Sequence, residues 1–214
     1  IPVNRISGGG NGAFGGDSIF SEQTLARSGM GATDKHPTTE SKARGDSGSA
    51  EQDADAAAEQ IAMAQVEKAL TARGGESMTM ERLLRHVTTH VTDEGLVIEV
   101  FDLPEAALFV EDSAEPTGQT RKIAALLAEV LGLTQNKIAV DGHVRRSPIP
   151  LIPDPTWALS TARAQAMRAL LQGYALPTQR FARVTGNADR KPATADATAI
   201  RNNRVEITLL RQDR

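Results

Sequence analysis

The chain has 214 residues, and 24 Lys and Arg against 27 Asp and Glu give it a formal net charge of -3. This acidic balance argues against nucleic acid as a partner and against a general anion-binding surface. The absence of cysteine excludes disulfides and thiolate chemistry, and the 3% share of aromatic residues indicates one modest core. No apolar run reaches the length of a membrane span. Because the chain begins at Ile1, we expect a fragment whose membrane anchor would lie upstream.

Residues 1–52 are predicted to form a flexible linker. The stretch SGGGNGAFGGDS cannot bury enough apolar surface to offset the entropy of ordering a glycine-rich backbone. It also lacks the Gly-Lys-Ser/Thr ending of a phosphate-binding loop, which favours a linker over a phosphate site.

Residues 53–77 are predicted to form a linker helix. Met63, Val66 and Leu70 lie along one stripe, and Gly74 is placed to end the helix. An apolar seam this narrow suits docking either on the domain that follows or on a second copy of the chain.

Residues 78–214 alternate helical and strand patterns and are predicted to form the folded domain. Helices are expected at Met80–Val91, between the capping Thr117 and Gly132, and at Trp157–Gln172. Four strands are expected, at Leu96–Phe101, Asn136–Val144, Arg180–Gly186 and Asn203–Leu210. The fold class is therefore α/β (α+β), a two-layer sandwich with helices on one face of a mixed four-stranded sheet.

The connection between the last two predicted strands is a suspected functional element. It runs from Asn187 to Asn203, which is long for a simple hairpin.

The sequence offers little for metal binding or catalysis. His86 and His90 would lie one turn apart on the second predicted helix, where two imidazoles can chelate zinc. No thiol or third ligand lies close in sequence, so two half-exposed histidines are favoured. Ser160 has neither a glycine elbow nor a nearby histidine, and no carboxylate pair is apparent. We therefore expect no enzyme, no cofactor and no metal.

Arginine is the residue type that stands out around the long loop after the second predicted strand. Arg145, Arg146 and Arg163 can bind carboxylate or phosphate, because the planar guanidinium donates two parallel hydrogen bonds. The alternative is a solvated face with local salt bridges to Asp141 or Asp154. Arg163 lies among alanines on a helix, where it would face partly inward.

Several ordered motifs resemble those of OmpA-like peptidoglycan-binding domains. The pattern W-x-L-S-x-x-R-A starts at Trp157, the pair Gly142-His143 precedes it, and G-x-A-D-x-x-P and N-x-R-V-E-I start at Gly186 and Asn202. The resemblance covers roughly residues 78–210. Within the family, a Pro-Ile pair and the Gly-x-Ala-Asp element are most similar to MotB-type stator proteins of the flagellar motor.

The resemblance implies a ligand, the diaminopimelate of the peptidoglycan stem peptide, with Arg163 as the clamp on its carboxylate. The peptidoglycan-binding residues that it implies are Arg163, Arg145, Val144, His143, Thr156, Leu159, Asp189, Asn203 and Arg204.

The sequence departs from the family at the residue that would receive the ligand's ammonium group. The family has an aspartate directly after Gly-His-Thr, and this chain has Arg145 there. Asp141, Asp154 or Asp189 could take the ammonium instead. Two alternatives remain: Arg145 reads a second carboxylate, or the domain binds the wall weakly or differently.

The resemblance further implies a non-catalytic anchor that holds an ion-driven stator complex to the cell wall. The chain would lie in the periplasm as a homodimer, and a single N-terminal helix, absent here, would anchor it in the inner membrane beside a MotA-type subunit. The family suggests a plug-like segment at Ile19–Leu25 (IFSEQTL). The alternatives are a generic OmpA-like wall anchor of the outer membrane and, with no nucleophile or metal to support it, a wall hydrolase.

Overall fold

The computed structural model describes residues 47–75, 77–149 and 152–212, with side chains from residue 56 onward. The predicted linker, including the plug-like segment Ile19–Leu25, lies outside the described residues except for its last six positions. No helix in the described ranges is both long and apolar enough to cross a membrane.

The described residues form four α-helices and five β-strands, in the chain order α1 Ser47–Gly74, α2 Met78–Leu84, β1 Val87–Val91, β2 Gly95–Phe101, α3 Gly118–Leu131, β3 Ile138–His143, α4 Thr156–Gly173, β4 Phe181–Gly186 and β5 Arg204–Leu210.

The five strands form one mixed sheet in the order β1-β2-β5-β3-β4. Only β3 and β4 pair in parallel, and α4 supplies the crossover that a parallel pair requires. Strands β2 and β3 both pair antiparallel with β5. The carboxyl ends of β2 and β3 therefore meet at the same edge of the sheet, on either side of the start of β5.

The core lies between α3, α4 and one face of the sheet. Thr117 caps α3, and its Oγ1 accepts a hydrogen bond from the Thr120 N–H at 3.4 Å. Gly142 allows α4 to approach β3 closely, because a Cβ there would lie 2.0 Å from the carbonyl oxygen of Ser160. The sheet contributes the buried residues Leu96, Ile98, Val100, Ile138, Val140, Val205, Ile207 and Leu209.

The predicted two-layer α+β class is confirmed, because helices pack on one face of a single mixed sheet.

Helix α1 docks on this domain through the predicted seam. Met63, Val66 and Leu70 are buried in the same core cluster, and the helix contacts α2 and α3. Of the two alternatives for the seam, the structure shows docking on the domain.

The predicted helix Met80–Val91 is wrong in its second half, and the sheet has five strands rather than four. Helix α2 ends at Leu84, and Val87–Val91 forms the edge strand β1, paired antiparallel with β2. This segment, VTTHV, is rich in β-branched residues, which favour a strand. The helical spacing of Leu83, Leu84 and Val87 was misleading because all three contact the core in the actual structure as well.

Candidate functional site

A cavity of about 320 Å³ opens at the sheet edge where β2 and β3 end. Its walls come from the segment after β2, the segment after β3, the first two turns of α4 and the residue before β5. Six of the nine predicted site residues line it: Val144, Arg145, Thr156, Leu159, Arg163 and Asn203. We refer to it as the Arg163 cavity.

Arg163 is a nearly enclosed cation of this cavity, with 7% of its surface exposed. Its Nε–H donates a 2.9 Å hydrogen bond to the carbonyl oxygen of Ser113, and its guanidinium lies 5.3 Å from the centre of the Phe109 ring. Among the described residues, Arg163 forms no salt bridge, and its two Nη groups donate no hydrogen bond. The side chain is therefore positioned by the protein, with its donor fork left for another acceptor.

Burial lowers the pKa of Arg163, while the nearby charges of Asp102 and Asp112 act in the opposite direction. A guanidinium nevertheless stays protonated in a protein. The cavity therefore holds a permanent, partly desolvated cation, which favours an anionic group as its ligand.

Asp102 lines the cavity and connects two of the segments that form its walls. Burial raises its pKa, against the hydrogen bonds it accepts from the Leu108 N–H at 2.7 Å and from Asn203 Nδ2 at 3.0 Å. Asn203 in turn accepts a 2.8 Å hydrogen bond from the backbone N–H of Arg145. The chain from Asp102 through Asn203 thus ties the segments after β2 and β3 together around the start of β5.

The start of α4 is fixed by a hydrogen bond to Asp154. Asp154 Oδ1 accepts a 2.9 Å hydrogen bond from the Thr156 N–H, and this bond lowers the pKa of Asp154. Thr156 is the first helical residue and lines the cavity. The helix therefore begins at the cavity wall, with its second turn carrying Leu159 and Arg163 into it.

Three predicted site residues, His143, Arg204 and Asp189, lie outside the lining of the cavity. His143 and Arg204 are paired across β3 and β5 and carry their side chains to the sheet face opposite the helices, because side chains alternate along a strand. Asp189 accepts a 2.9 Å hydrogen bond from Arg146 Nε and also contacts Arg190.

The sheet face opposite the helices carries a charged cluster. Glu206 is in register with Glu99 on one side and Asp141 on the other, so three carboxylates lie across adjacent strands. Arg204 Nη2 lies 2.6 Å from Glu206, Arg201 contacts Glu99, and Arg183 lies 3.8 Å from Asp141. Each of the three carboxylates therefore has an arginine partner, which is typical of a structural network of ion pairs.

His86 and His90 do not lie one turn apart on a helix, as the sequence pattern predicted. His86 is fully buried in the turn before β1, with Nδ1 2.7 Å from the Phe101 carbonyl oxygen and Nε2 against Gln119. His90 is exposed on β1. The described residues contain no group of three or more potential ligands able to hold a metal ion.

Ser160 serves packing. Its hydroxyl donates to the Trp157 carbonyl oxygen at 3.1 Å and accepts from the Ala188 N–H at 3.0 Å. Both contacts are internal, and the residue is fully buried. The fold thus gives this hydroxyl a structural partner on each side.

The sequence reasoning missed the acidic residues of the cavity, namely Asp102, Glu111 and Asp112. The three acids that it offered as ammonium partners, Asp141, Asp154 and Asp189, do not line the cavity. The acidic segment between β2 and α3 is visible in the sequence. Its proximity to the arginine-bearing segment depends on the strand order β2-β5-β3, which the sequence pattern does not reveal.

Comparison with known proteins agrees with this architecture. Residues 108–206 match the model of the OmpA family, and this chain contains an OmpA-like domain. The relatives that it matches in sequence are motility protein B of Escherichia coli K12 and of Escherichia coli O157:H7, each 31% identical over 144 residues. The match covers 63% of this chain and 45% of either relative, so the chain spans about half the length of the curated relatives it matches.

Two crystal structures establish the fold. A MotB-like protein from Desulfovibrio vulgaris has a TM-score of 0.56 and 19% identity, over 75% of this chain and 99% of the other. The periplasmic domain of Helicobacter pylori MotB has a TM-score of 0.50 and 16% identity, over 59% of this chain and 82% of the other.

Proposed function

We propose that this chain is the peptidoglycan-binding part of a flagellar-motor stator subunit, which holds the stator to the cell wall by non-covalent binding without turnover. Three observations support this: the OmpA-like domain, the 31% identity to motility protein B, and the Arg163 cavity. The position of Arg163 carries the most weight. Its buried guanidinium is held at Nε, and its two Nη groups form no hydrogen bond or salt bridge with the described residues.

In this proposal the ligand is the diaminopimelate-containing stem peptide. One of its carboxylates lies on the Nη fork of Arg163, and Thr156 and Leu159 shape the wall beside it. A tethered anchor needs a contact that resists sliding. A guanidinium that is already desolvated and held in place meets this need, since little ordering entropy is lost on binding.

The rest of the chain would connect this anchor to the membrane. Residues 1–52 would be the linker and plug, residues 53–77 the linker helix, and residues 78–214 the binding domain. Because α1 packs its seam into the domain core, tension on the linker would be transmitted directly to α2 and α3. The proposal places the chain in the periplasm as a homodimer, with a MotA-type partner in the inner membrane.

Co-sedimentation with purified peptidoglycan sacculi tests the proposal. The wild-type chain should pellet with sacculi and be released by soluble stem peptide, and Arg163→Lys should weaken the binding. Lysine keeps the charge but loses the two-pronged contact. The matched control is Arg168→Lys on the same helix, where Arg168 bonds Gln165 and Gln172 outside the cavity. Absence of wild-type binding, or equal binding by all three proteins, would reject the proposal.

A further inference from the structure

The acidic turn Val110–Ser113 contributes Glu111 and Asp112 to the lining of the Arg163 cavity. We propose that Asp112 on this turn receives the ammonium group of the ligand, so that Asp112 and Arg163 together bind an ammonium-and-carboxylate head group. The assignment presupposes the proposed function, since it concerns the same cavity.

The turn is held rigidly next to Arg163. The Ser113 N–H donates to the Val110 carbonyl oxygen at 3.0 Å, and the Val110 N–H donates to the Glu115 carbonyl oxygen at 2.9 Å. The carbonyl of Ser113 is the group that accepts from Arg163 Nε. Asp112 is therefore one residue from the atom that positions the guanidinium. It lies close enough to influence the pKa of Arg163, but it forms no salt bridge with it.

The carboxylate of Asp112 is available for a ligand. Asp112 is exposed, lines the cavity and makes no side-chain hydrogen bond with the described residues. Its φ of 50° lies in the left-handed region, which aspartate and asparagine tolerate better than most residues. The backbone thus presents this side chain at the tip of the turn.

Three other acids at or near the site, Asp102, Asp154 and Asp189, are already engaged. Both oxygens of Asp102 accept hydrogen bonds, from Leu108 and Asn203. Asp154 caps α4, and Asp189 bonds Arg146. Glu111 also lines the cavity, but Asp112 is the carboxylate of the turn that acts on the charge of Arg163.

The resulting arrangement specifies a class of ligand. Arg163 offers a fork for a carboxylate, and Asp112 accepts an ammonium beside it. Arg145, exposed at the rim, adds a cation for a second carboxylate. The cavity therefore fits an amino-acid head group with both charges on one carbon, carried by a molecule with a further carboxylate. It disfavours a simple dicarboxylate, which would leave Asp112 unpaired.

Direct binding of free ligands tests the assignment. Diaminopimelate and pimelate, which has the same carbon chain without ammonium groups, are titrated into the chain in solution by isothermal titration calorimetry. The proteins are the wild type, Asp112→Asn and the control Glu115→Gln, an exposed acid of the same segment outside the cavity. Asparagine keeps the shape and the left-handed backbone, and circular dichroism checks that each variant is folded.

Asp112→Asn should raise the dissociation constant of diaminopimelate on the order of tenfold, as expected for one lost charge-assisted hydrogen bond. Pimelate should bind Asp112→Asn as well as or better than wild type, and Glu115→Gln should behave as wild type. Equal diaminopimelate affinity of Asp112→Asn and wild type overturns the assignment. So does an equal loss with both compounds, or transfer of the effect to Glu111→Gln. If the wild type fails to bind sacculi at all, it is the proposed function that is rejected.

Discussion

The Nε–H of Arg163 donates to the carbonyl oxygen of Ser113 across 50 positions of sequence, and this bond joins the two walls of the cavity. It uses the one guanidinium N–H that a two-pronged Nη contact does not need. Arg163 is thereby both a part of the fold and the cation of the candidate site.

Arg163→Ala should therefore affect both binding and stability. From sequence alone we expect the thermal unfolding of this variant to stay nearly unchanged, but the structure alters that expectation. The side chain is 7% exposed and contacts Phe109, so truncation should cost about 1–3 kcal/mol in free energy of unfolding.

Arg163→Lys, which keeps the charge and most of the buried stem, should cost less stability while still weakening sacculus binding. Chemical denaturation of both variants beside the pelleting assay separates the two effects. If Arg163→Ala lost stability and still bound like wild type, Arg163 would have a structural role alone.

Arg145→Asp should weaken binding to sacculi by several-fold. The Arg145 backbone is held by Asn203 independently of its side chain, so the change acts on charge rather than on fold. It would place a carboxylate opposite Asp112 and remove the cation at the rim. Arg121→Asp, an exposed charge reversal on α3, is the control. Tighter binding would show that Arg145 repels the ligand's ammonium group instead of binding a ligand carboxylate.

Ser160→Ala should lower the free energy of unfolding by about 1–3 kcal/mol, because the N–H of the buried Ala188 loses its acceptor. Thr161→Ala, at an exposed hydroxyl on the same turn, should cost less, within about 0.5 kcal/mol. Urea unfolding measures both. An unchanged midpoint for Ser160→Ala would mean that water replaces the hydroxyl.

Glu206 should make the fold sensitive to acid. Burial alone would raise its pKa, but His143, whose Nε2 lies 3.4 Å from the Glu206 carboxylate, and the guanidinium of Arg204 lower it to about 2, despite the flanking Glu99 and Asp141. Because the pKa in the folded protein lies below the ordinary glutamate value of 4.5, the stabilisation is present above pH 4.5 and is lost as the pH falls toward 2.

The contribution of Glu206 is roughly 1–3 kcal/mol after allowing for solvent screening. The midpoint temperature of thermal unfolding should therefore fall more steeply between pH 7 and pH 3 for wild type than for Glu206→Gln. Parallel curves for the two proteins would contradict this.

The sequence predicted those elements whose local pattern and packing agree. Helix α3, with its cap at Thr117, and the strands β2, β3 and β5 are examples, because the apolar residues of their patterns are buried in the core. The segment Val87–Val91 was mispredicted because its spacing suits either state, and pairing with β2 decides between them.

For the candidate site, too, the sequence identified residues that lie close together along the chain and missed residues that only the sheet topology brings together. Residues carried by one continuous stretch, from Val144 to Arg163, were placed together correctly in the cavity. Asp102 and Asp112 were missed because their proximity to Arg163 depends on which strands are neighbours in the sheet. His143 and Arg204 were assigned to the site on resemblance, but strand alternation carries their side chains to the opposite face.

A crystal structure of the chain soaked with a diaminopimelate-containing stem-peptide fragment is the most direct test of the central claim. The account predicts a ligand carboxylate on the two Nη groups of Arg163 and an ammonium within hydrogen-bond distance of Asp112, with the Arg163–Ser113 bond intact. A fragment bound elsewhere, for instance on the charged sheet face around Glu206, would contradict it, as would one seated in the cavity without touching Arg163.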